Sequence, residues 1–217
     1  MRIAFFVNAI KDEYPRFTTT VFALAALARG HDVCYITPGG FVLRADDTLH
    51  VSVLNLPKKT FKKVETLHKA LQSEEATRET IDVTGIDVLM LRNDPSQDAD
   101  THPWAAQAGP MFGRLAAERG VLVVNDPDGL SLAQNKLYLQ GFPEAARPAS
   151  LISKNLEEIR DFIDTQPEGV IIKPLQGSGG KNVFKIDGPD DSNINQIFEG
   201  VSEEGYMIAQ GFMPEAK

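Results

Sequence analysis

Val170-Ile171-Ile172-Lys173-Pro174-Leu175-Gln176-Gly177-Ser178-Gly179-Gly180-Lys181-Asn182-Val183-Phe184-Lys185-Ile186 reads as two β segments joined by a glycine-rich loop with a lysine at each edge. Val170, Ile171 and Ile172 are apolar and β-branched, which predicts a buried strand, and Val183 to Ile186 alternates like a half-exposed one. Lys173 then lies at the strand's end, where an ammonium group can meet a ligand. Gly177, Gly179 and Gly180 lack the Cβ atoms that hold a backbone away from phosphate oxygens, and they permit the positive φ that turns successive N–H groups toward an anion. An ordinary hairpin whose loop merely needs glycine is the other reading of the same residues. A Walker A loop would require glycine at position 175 and Ser or Thr at 182, where Leu175 and Asn182 stand. A dinucleotide fingerprint would require glycine at 182, followed by a helix. Neither motif fits.

The surroundings of this loop narrow the ligand. The chain has 217 residues, enough for one large α/β domain or two small ones, and is globular in composition, 42% hydrophobic and 24% charged. With 22 Lys+Arg against 30 Asp+Glu, its net charge of −8 disfavours a nucleic-acid partner, which needs a basic face. Lys173, Lys181 and Lys185 nevertheless gather around one glycine loop, an arrangement suited to a small anion. Cys34 is the only cysteine, so no intramolecular disulfide can form, and its strand-like surroundings predict a buried, inert thiol. No run approaches the length of a membrane span and no signal peptide is visible, so a cytoplasmic location and no membrane partner are expected. The four histidines show no metal spacing.

The first half alternates strand and helix signals. Arg2 to Asn8 predicts a strand, Thr18 to Arg29 a helix closed by Gly30, and Asp32 to Thr37 a second strand ended by Pro38-Gly39-Gly40. Val42 to Arg44 and His50 to Leu54 predict a short antiparallel pair. Ile86 to Arg92 predicts a strand, Trp104 to Arg119 a helix, and Val121 to Val124 another strand. Trp104 and the phenylalanines are expected in the core. Lys58 to Thr80 is charged and reads as a solvated helix or mobile segment. This order predicts an α/β, Rossmann-like unit with a parallel sheet. The turn chemistry of Asn125-Asp126-Pro127-Asp128-Gly129 marks its end, giving units 1–125 and 126–217. Beyond it, Leu130 to Leu139 predicts a helix, Ala149 to Ile152 a strand, Leu156 to Thr165 a helix capped by Asn155, and Tyr206 to Gln210 a strand.

Taken in order, Asn125-x-Pro-x-x-Leu130, Asn135-Lys136, Ile172-Lys173-Pro174-Leu175-x-Gly177-x-Gly179-Gly180 and Ala209-Gln210-Gly211-Phe212-Met213-Pro214 resemble the prokaryotic glutathione synthetases of the ATP-grasp superfamily. Leu91-Arg92-Asn93-Asp94-Pro95 is similar to a basic-x-Asp-Pro turn of the same family, and the likeness covers essentially the whole chain. The resemblance implies a Rossmann-like pre-ATP-grasp domain followed by the first, α+β subdomain of an ATP-grasp fold. It implies ATP and Mg2+, the substrates γ-glutamylcysteine and glycine, and an acyl phosphate formed on the way to glutathione, in a homo-oligomer.

By the same resemblance Lys136 and Lys173 are the two phosphate lysines. Gln176, Gly177, Ser178, Gly179 and Gly180 form a lid over the phosphates. Gln210, Gly211, Phe212 and Met213 form the adenine hinge. Asn8, Arg92 and Asp94, at strand ends of the first unit, are the candidates for the dipeptide, with turn and capping roles as the other reading of Asn8 and Asp94. The Mg2+ ligands are expected in a following half of the ATP-grasp domain, so the chain reads as an incomplete and by itself inactive enzyme. Another ATP-grasp carboxylate-amine ligase and a noncatalytic nucleotide-binding module stay open as alternatives, while the absence of a glycine fingerprint after Val7 argues against a dinucleotide binder.

Overall fold

A computed structural model describes residues 1–98, 101–177, 179–203 and 205–215. In chain order its elements are β1 (Arg2–Phe6), α1 (Thr18–Ala28), β2 (Asp32–Ile36), β3 (Phe41–Leu43), β4 (Leu49–Asn55), α2 (Val64–Leu71), β5 (Thr77–Asp82), β6 (Val88–Leu91), α3 (Pro95–Asp98), α4 (Pro103–Glu118), β7 (Leu122–Val124), α5 (Pro127–Leu132), β8 (Ser150–Ser153), α6 (Leu156–Asp164), β9 (Val170–Pro174), β10 (Phe184–Ile186), α7 (Ile194–Ser202) and β11 (Met207–Gly211). The chain forms two compact units, Met1–Ser131 and Leu132–Lys217, which part inside α5 rather than at the Asn125 turn.

The first unit is built on a seven-stranded sheet in the order β3-β4-β2-β1-β6-β7, with β5 added to β4. β1 runs parallel to β2 and β6, and β6 parallel to β7, while β4 joins β2 antiparallel. Alternation along β1 divides the core. Ala4 and Phe6 face a cluster containing Ala108 and Ala116 of α4, whereas Phe5 and Val7 face one with Ala23 and Ala26 of α1 and Leu67, Ala70 and Leu71 of α2. A strand covered on both faces needs apolar residues at both parities, which is why Ile3 to Val7 reads as a continuous run. Layered this way, the unit is Rossmann-like, and the end where β1 and β6 finish is the edge at which open α/β sheets generally bind ligands.

Several expectations are corrected. α1 buries its small residues Thr19, Thr20, Ala23 and Ala26 and turns Val21 and Phe22 outward, because close packing on the sheet favours small side chains over bulky ones. Trp104 is not core: it stands at the start of α4 with 60% of its surface exposed. The stretch Lys58 to Thr80 is ordered. Its Leu67, Ala70 and Leu71 recur at helical spacing and bury one face of α2, and β5 begins inside it at Thr77. Cys34 is fully buried, and desolvation pushes its thiol up to about 11, so it is inert at neutral pH.

In the second unit a four-stranded sheet, ordered β10-β9-β11-β8, is antiparallel throughout. Val170, Ile172, Ile186, Met207 and Ala209 pack on Ile159 and Ile163 of α6 and on Ile194 and Val201 of α7. α7 carries no strong start signal in the sequence, its N-cap Asn193 making no side-chain capping hydrogen bond. Leu130 to Leu139 is not one helix. Asn135 adopts an extended backbone, φ −144° and ψ 171°, and its side chain accepts from the Leu137 N–H, so a 3-10 turn over Lys136–Gly141 starts afresh after α5 has ended.

Candidate functional site

In the second unit the register puts Ile171, Lys173, Lys185, Ile208, Gln210 and Ser150 on the sheet face turned away from α6 and α7. Lys173 is half-buried there. Its Nζ donates to Gln210 Oε1 at 2.8 Å, and Gln210 Nε2 donates to Ser150 Oγ at 3.3 Å. Burial lowers the Lys173 pKa, and no carboxylate among the described residues pairs with it. A cation held partly out of water with only an amide oxygen for company favours an anionic ligand.

Lys136 opens the 3-10 turn rather than lying in the helix predicted over Leu130 to Leu139. Its Nζ lies 2.8 Å from the Pro174 carbonyl oxygen, 3.4 Å from that of Leu175, 3.1 Å from that of Gln176 and 3.0 Å from that of Gly177, and its N–H donates to Leu175 O at 3.0 Å. An ammonium has three protons, so four carbonyls share them. The lysine thus pins the root of the glycine loop, and reaching a phosphate requires it to release at least one carbonyl. Gly177, Gly179 and Gly180 all have positive φ, 95°, 71° and 77°. Ser178 lies outside the described residues.

Removing the Lys136 charge should free the loop without unfolding the unit. We expect Lys136→Met to cost about 1–2 kcal/mol, the scale of charge-assisted hydrogen bonds returned to water. Amide exchange across 175–180 should rise at least several-fold, as hydrogen-exchange mass spectrometry would show. Unchanged protection there would mean that the ammonium does not anchor the loop.

After β11 the backbone is already committed. Gly211 N–H donates to Ala149 O and Phe212 N–H to Gly169 O, both at 2.9 Å, and the Met213 N–H has no acceptor among the described residues. Lys185 packs over the Phe212 ring, 4.5 Å from its centroid, and also pairs with Asp187.

In the first unit the ends of β1 and β6 and the start of α1 enclose a pocket of about 320 Å3, lined among others by Asn8, Glu13, Arg16, Thr18, Arg92 and Asp94. This groups the three residues chosen from the sequence, but in unlike roles. Asn8 is spent on structure: its Oδ1 accepts the Asp94 N–H at 2.7 Å, and its Nδ2 donates to Asp94 O at 2.8 Å and to Asp98 Oδ2 at 2.6 Å. Asp94 Oδ1 caps the turn through the Ser96 N–H at 3.0 Å and the Ser96 hydroxyl at 2.7 Å. Arg92 keeps an exposed guanidinium with no ion-pair partner among the described residues.

Glu13 was not singled out by the sequence, because one acid in a mixed-charge loop belongs to no recognisable spacing. It is only 7% exposed, and its Oε2 is sealed from water without a hydrogen-bond partner. Desolvation raises its pKa to about 7, against a lowering by Arg92, while Asp12 adds to the rise. The sign of the linkage follows. The stability that Glu13 confers when protonated is fully present below about 4.5 and is lost as pH rises through about 7. The loss approaches roughly 3 kcal/mol at 1.36 kcal/mol per pKa unit. Urea midpoints should therefore fall across that window more for the wild type than for Glu13→Gln, and parallel curves would contradict it.

Two family models account for these units. The model of the prokaryotic glutathione synthetase N-terminal domain matches residues 1–131, and that of the prokaryotic glutathione synthetase ATP-grasp domain matches 135–217. The chain belongs to the prokaryotic glutathione synthetase family. A glutathione synthetase of Bradyrhizobium diazoefficiens is 31% identical over 92% of this chain and 59% of that protein, and one of Coxiella burnetii is 30% identical over 92% and 58%. One of Photorhabdus laumondii reaches 35% identity over 61% of this chain and 40% of its own length. The chain thus spans three fifths or less of these relatives. Solved structures with the same fold include a RimK-domain ATP-grasp protein of Sphaerobacter thermophilus (TM-score 0.55, 17% identity, 99% of this chain and 65% of that one). Another is the D-alanyl-alanine synthetase A of Vibrio cholerae (TM-score 0.54, 10% identity, 98% and 59%). For a glutathione synthetase family member, the lysine-bearing sheet face lies in the ATP-grasp part and the Arg92 pocket in the N-terminal part.

Proposed function

We propose that the protein acts in ATP-dependent ligation of γ-glutamylcysteine to glycine. The observation that carries this reading is Lys173, a half-buried cation without a carboxylate partner, beside a loop of positive-φ glycines in the ATP-grasp part. Its ammonium would neutralise phosphate oxygens of ATP. Lys136, on leaving its carbonyls, would follow the same phosphates and carry the root of the loop 176–180 toward them. Closure would exclude water from a hydrolysable intermediate. Ile171, half-buried on the same sheet face, supplies apolar surface for a base. With the Gly211 and Phe212 amides committed to the sheet, the Met213 N–H is the donor left for its edge.

In the reaction so proposed, the cysteinyl carboxylate oxygen attacks the γ-phosphorus of ATP and ADP leaves. The amine of glycine then attacks the acyl carbon, phosphate departs and the amine loses a proton. Arg92 is assigned to a substrate carboxylate, and Asn8 and Asp94 to shaping the pocket around it. Mg2+ would offset phosphate charge during transfer. No group of three His, Cys, Asp or Glu side chains assembles among the described residues, and we place no magnesium ligand on them. Likewise, among the described residues no helix is long and apolar enough to cross a membrane.

Product analysis tests the reading. The full-length protein, given ATP, Mg2+, γ-glutamylcysteine and glycine, should form one glutathione per ADP. ADP formation that ignores γ-glutamylcysteine but follows another carboxylic acid would replace the substrate assignment.

A further inference from the structure

The pocket of the first unit contains more unspent charge than a carboxylate site needs. Arg16 and Arg92 have no ion-pair partner among the described residues, nor has Asp12, whereas Asp94 is committed to its turn. Among the described residues that line the pocket, Glu13 is the least exposed of the charged groups and the only one with a sealed, unpartnered oxygen. Around it stand Arg92 and Asp12, the fully buried phenol of Tyr35 on β2, whose oxygen also lacks a partner, and His68 of α2, whose Nε2 lies 2.6 Å from the Glu13 carbonyl oxygen. The second observation is the start of α1. Phe17 is its N-cap and supplies no capping side chain, the first helical bond is Val21 N–H to Phe17 O, and the N–H groups of Thr18 and Thr19, residues that line the pocket, have no acceptor among the described residues.

Two guanidiniums, free helix amides and a buried carboxylate lining one pocket suit a neutral ligand that carries both charges. A simple anion would meet Glu13, and a simple cation would meet the arginines. We propose that this pocket binds the zwitterionic head of an α-amino acid, Glu13 accepting from its ammonium group and the amino end of α1, with Arg16 and Arg92, receiving its carboxylate. On the ligation reading above, on which this assignment of the ligand rests, the head is the γ-glutamyl end of the dipeptide, and the reacting cysteinyl carboxylate points out of the pocket. A volume of about 320 Å3 accommodates such a head rather than a nucleotide. The burial of Glu13 serves recognition: an ammonium ion supplies the counter-charge that the fold withholds.

Calorimetry on the chain tests this with three probes: γ-glutamylcysteine, its des-amino analogue with hydrogen in place of the ammonium group, and L-glutamate. Wild type should bind γ-glutamylcysteine about 30-fold more tightly than the des-amino compound, a typical cost of an unpaired buried charge. Glu13→Gln should shrink that ratio to about 3-fold or less by weakening only the ammonium-bearing ligand. Equal binding of the two dipeptides by wild type would overturn the proposal, as would a ratio untouched by Glu13→Gln or failure of all three probes to bind. Circular dichroism of the variant guards against misfolding, and the ligand-side comparison needs no variant at all. If L-glutamate binds in a Glu13-dependent way but γ-glutamylcysteine does not, the head site stands and the glutathione reading falls. If both dipeptides bind equally and glutathione is made, the reverse holds.

Discussion

Lys173→Met should weaken ATP binding to the full-length protein by about 100-fold and slow ligation by up to about 1000-fold, the range for loss of one well-placed charge at a transferring phosphate. Thermal stability should barely move. Lys173 makes one hydrogen bond, to Gln210, and has no ion-pair partner among the described residues. A methionine of similar length fills the same strand position without the desolvation cost of a half-buried ammonium. The pairing of a large functional loss with an unchanged melting temperature separates a ligand group from a structural one. Titration calorimetry with ATP and a thermal melt measure the two sides. Unaltered ATP affinity would remove Lys173 from the nucleotide site.

Gly169→Ala should destabilise the second unit by about 4 kcal/mol, a large part of the 5–15 kcal/mol typical of a domain. Gly169 has a φ of +83°, and a Cβ built on it would lie 2.4 Å from the Ile186 carbonyl oxygen and 3.1 Å from Asp187 Cα. Both contacts are backbone, so relief requires moving β10 away from β9 rather than rotating a side chain. The same residue gives its carbonyl to the Phe212 N–H, so the disturbance reaches the segment after β11. Gly177→Ala is the control. Its φ of +95° is also strained for alanine, but nothing lies within 4 Å of the added Cβ, and about 1 kcal/mol is expected. Urea unfolding followed by fluorescence should show a large loss for the first and a small one for the second. Equal losses would mean that backbone conformation, not close approach, dominates both.

The architecture was legible wherever one residue type had one physical outcome. The unbroken apolar run of β1 had to be covered on both faces, and Val170 to Ile172 had to be buried by something. Glycines bounded by lysines and β segments specified a loop with positive φ. Legibility failed where small differences in packing decide. α1 carries apolar residues around its whole girth, and its helical signal does not say that Ala23 and Ala26 are buried, Leu24 and Leu27 pack at the margin of the same cluster and Val21 and Phe22 turn outward. A helix was one reading of the α2 stretch, but its buried face was hidden by charge, since it needs only Leu67, Ala70 and Leu71 among lysines.

The sites divide along the same line. The half-buried placement of Lys173 was legible because a lysine in a buried strand must find water or a polar partner, here Gln210. Asn8 and Asp94 were legible as strand-end polar groups, but which of them is free depends on hydrogen bonds between segments far apart in sequence. Glu13 was not legible at all. Its burial depends on Tyr35, Arg92 and α2 converging on one loop, which no local pattern announces. The carbonyl cage of Lys136 likewise depends on a loop about forty residues away.

The location of the nucleotide is tested most directly by hydrogen-exchange mass spectrometry on the full-length protein with and without ATP and Mg2+. Added nucleotide should slow exchange in the loop 175–182 and at 211–213, while the pocket segments 8–19 and 92–97 keep their rates until γ-glutamylcysteine is added. Nucleotide-dependent protection confined to residues 8–19 and 92–97, with none in the glycine loop, would contradict the account.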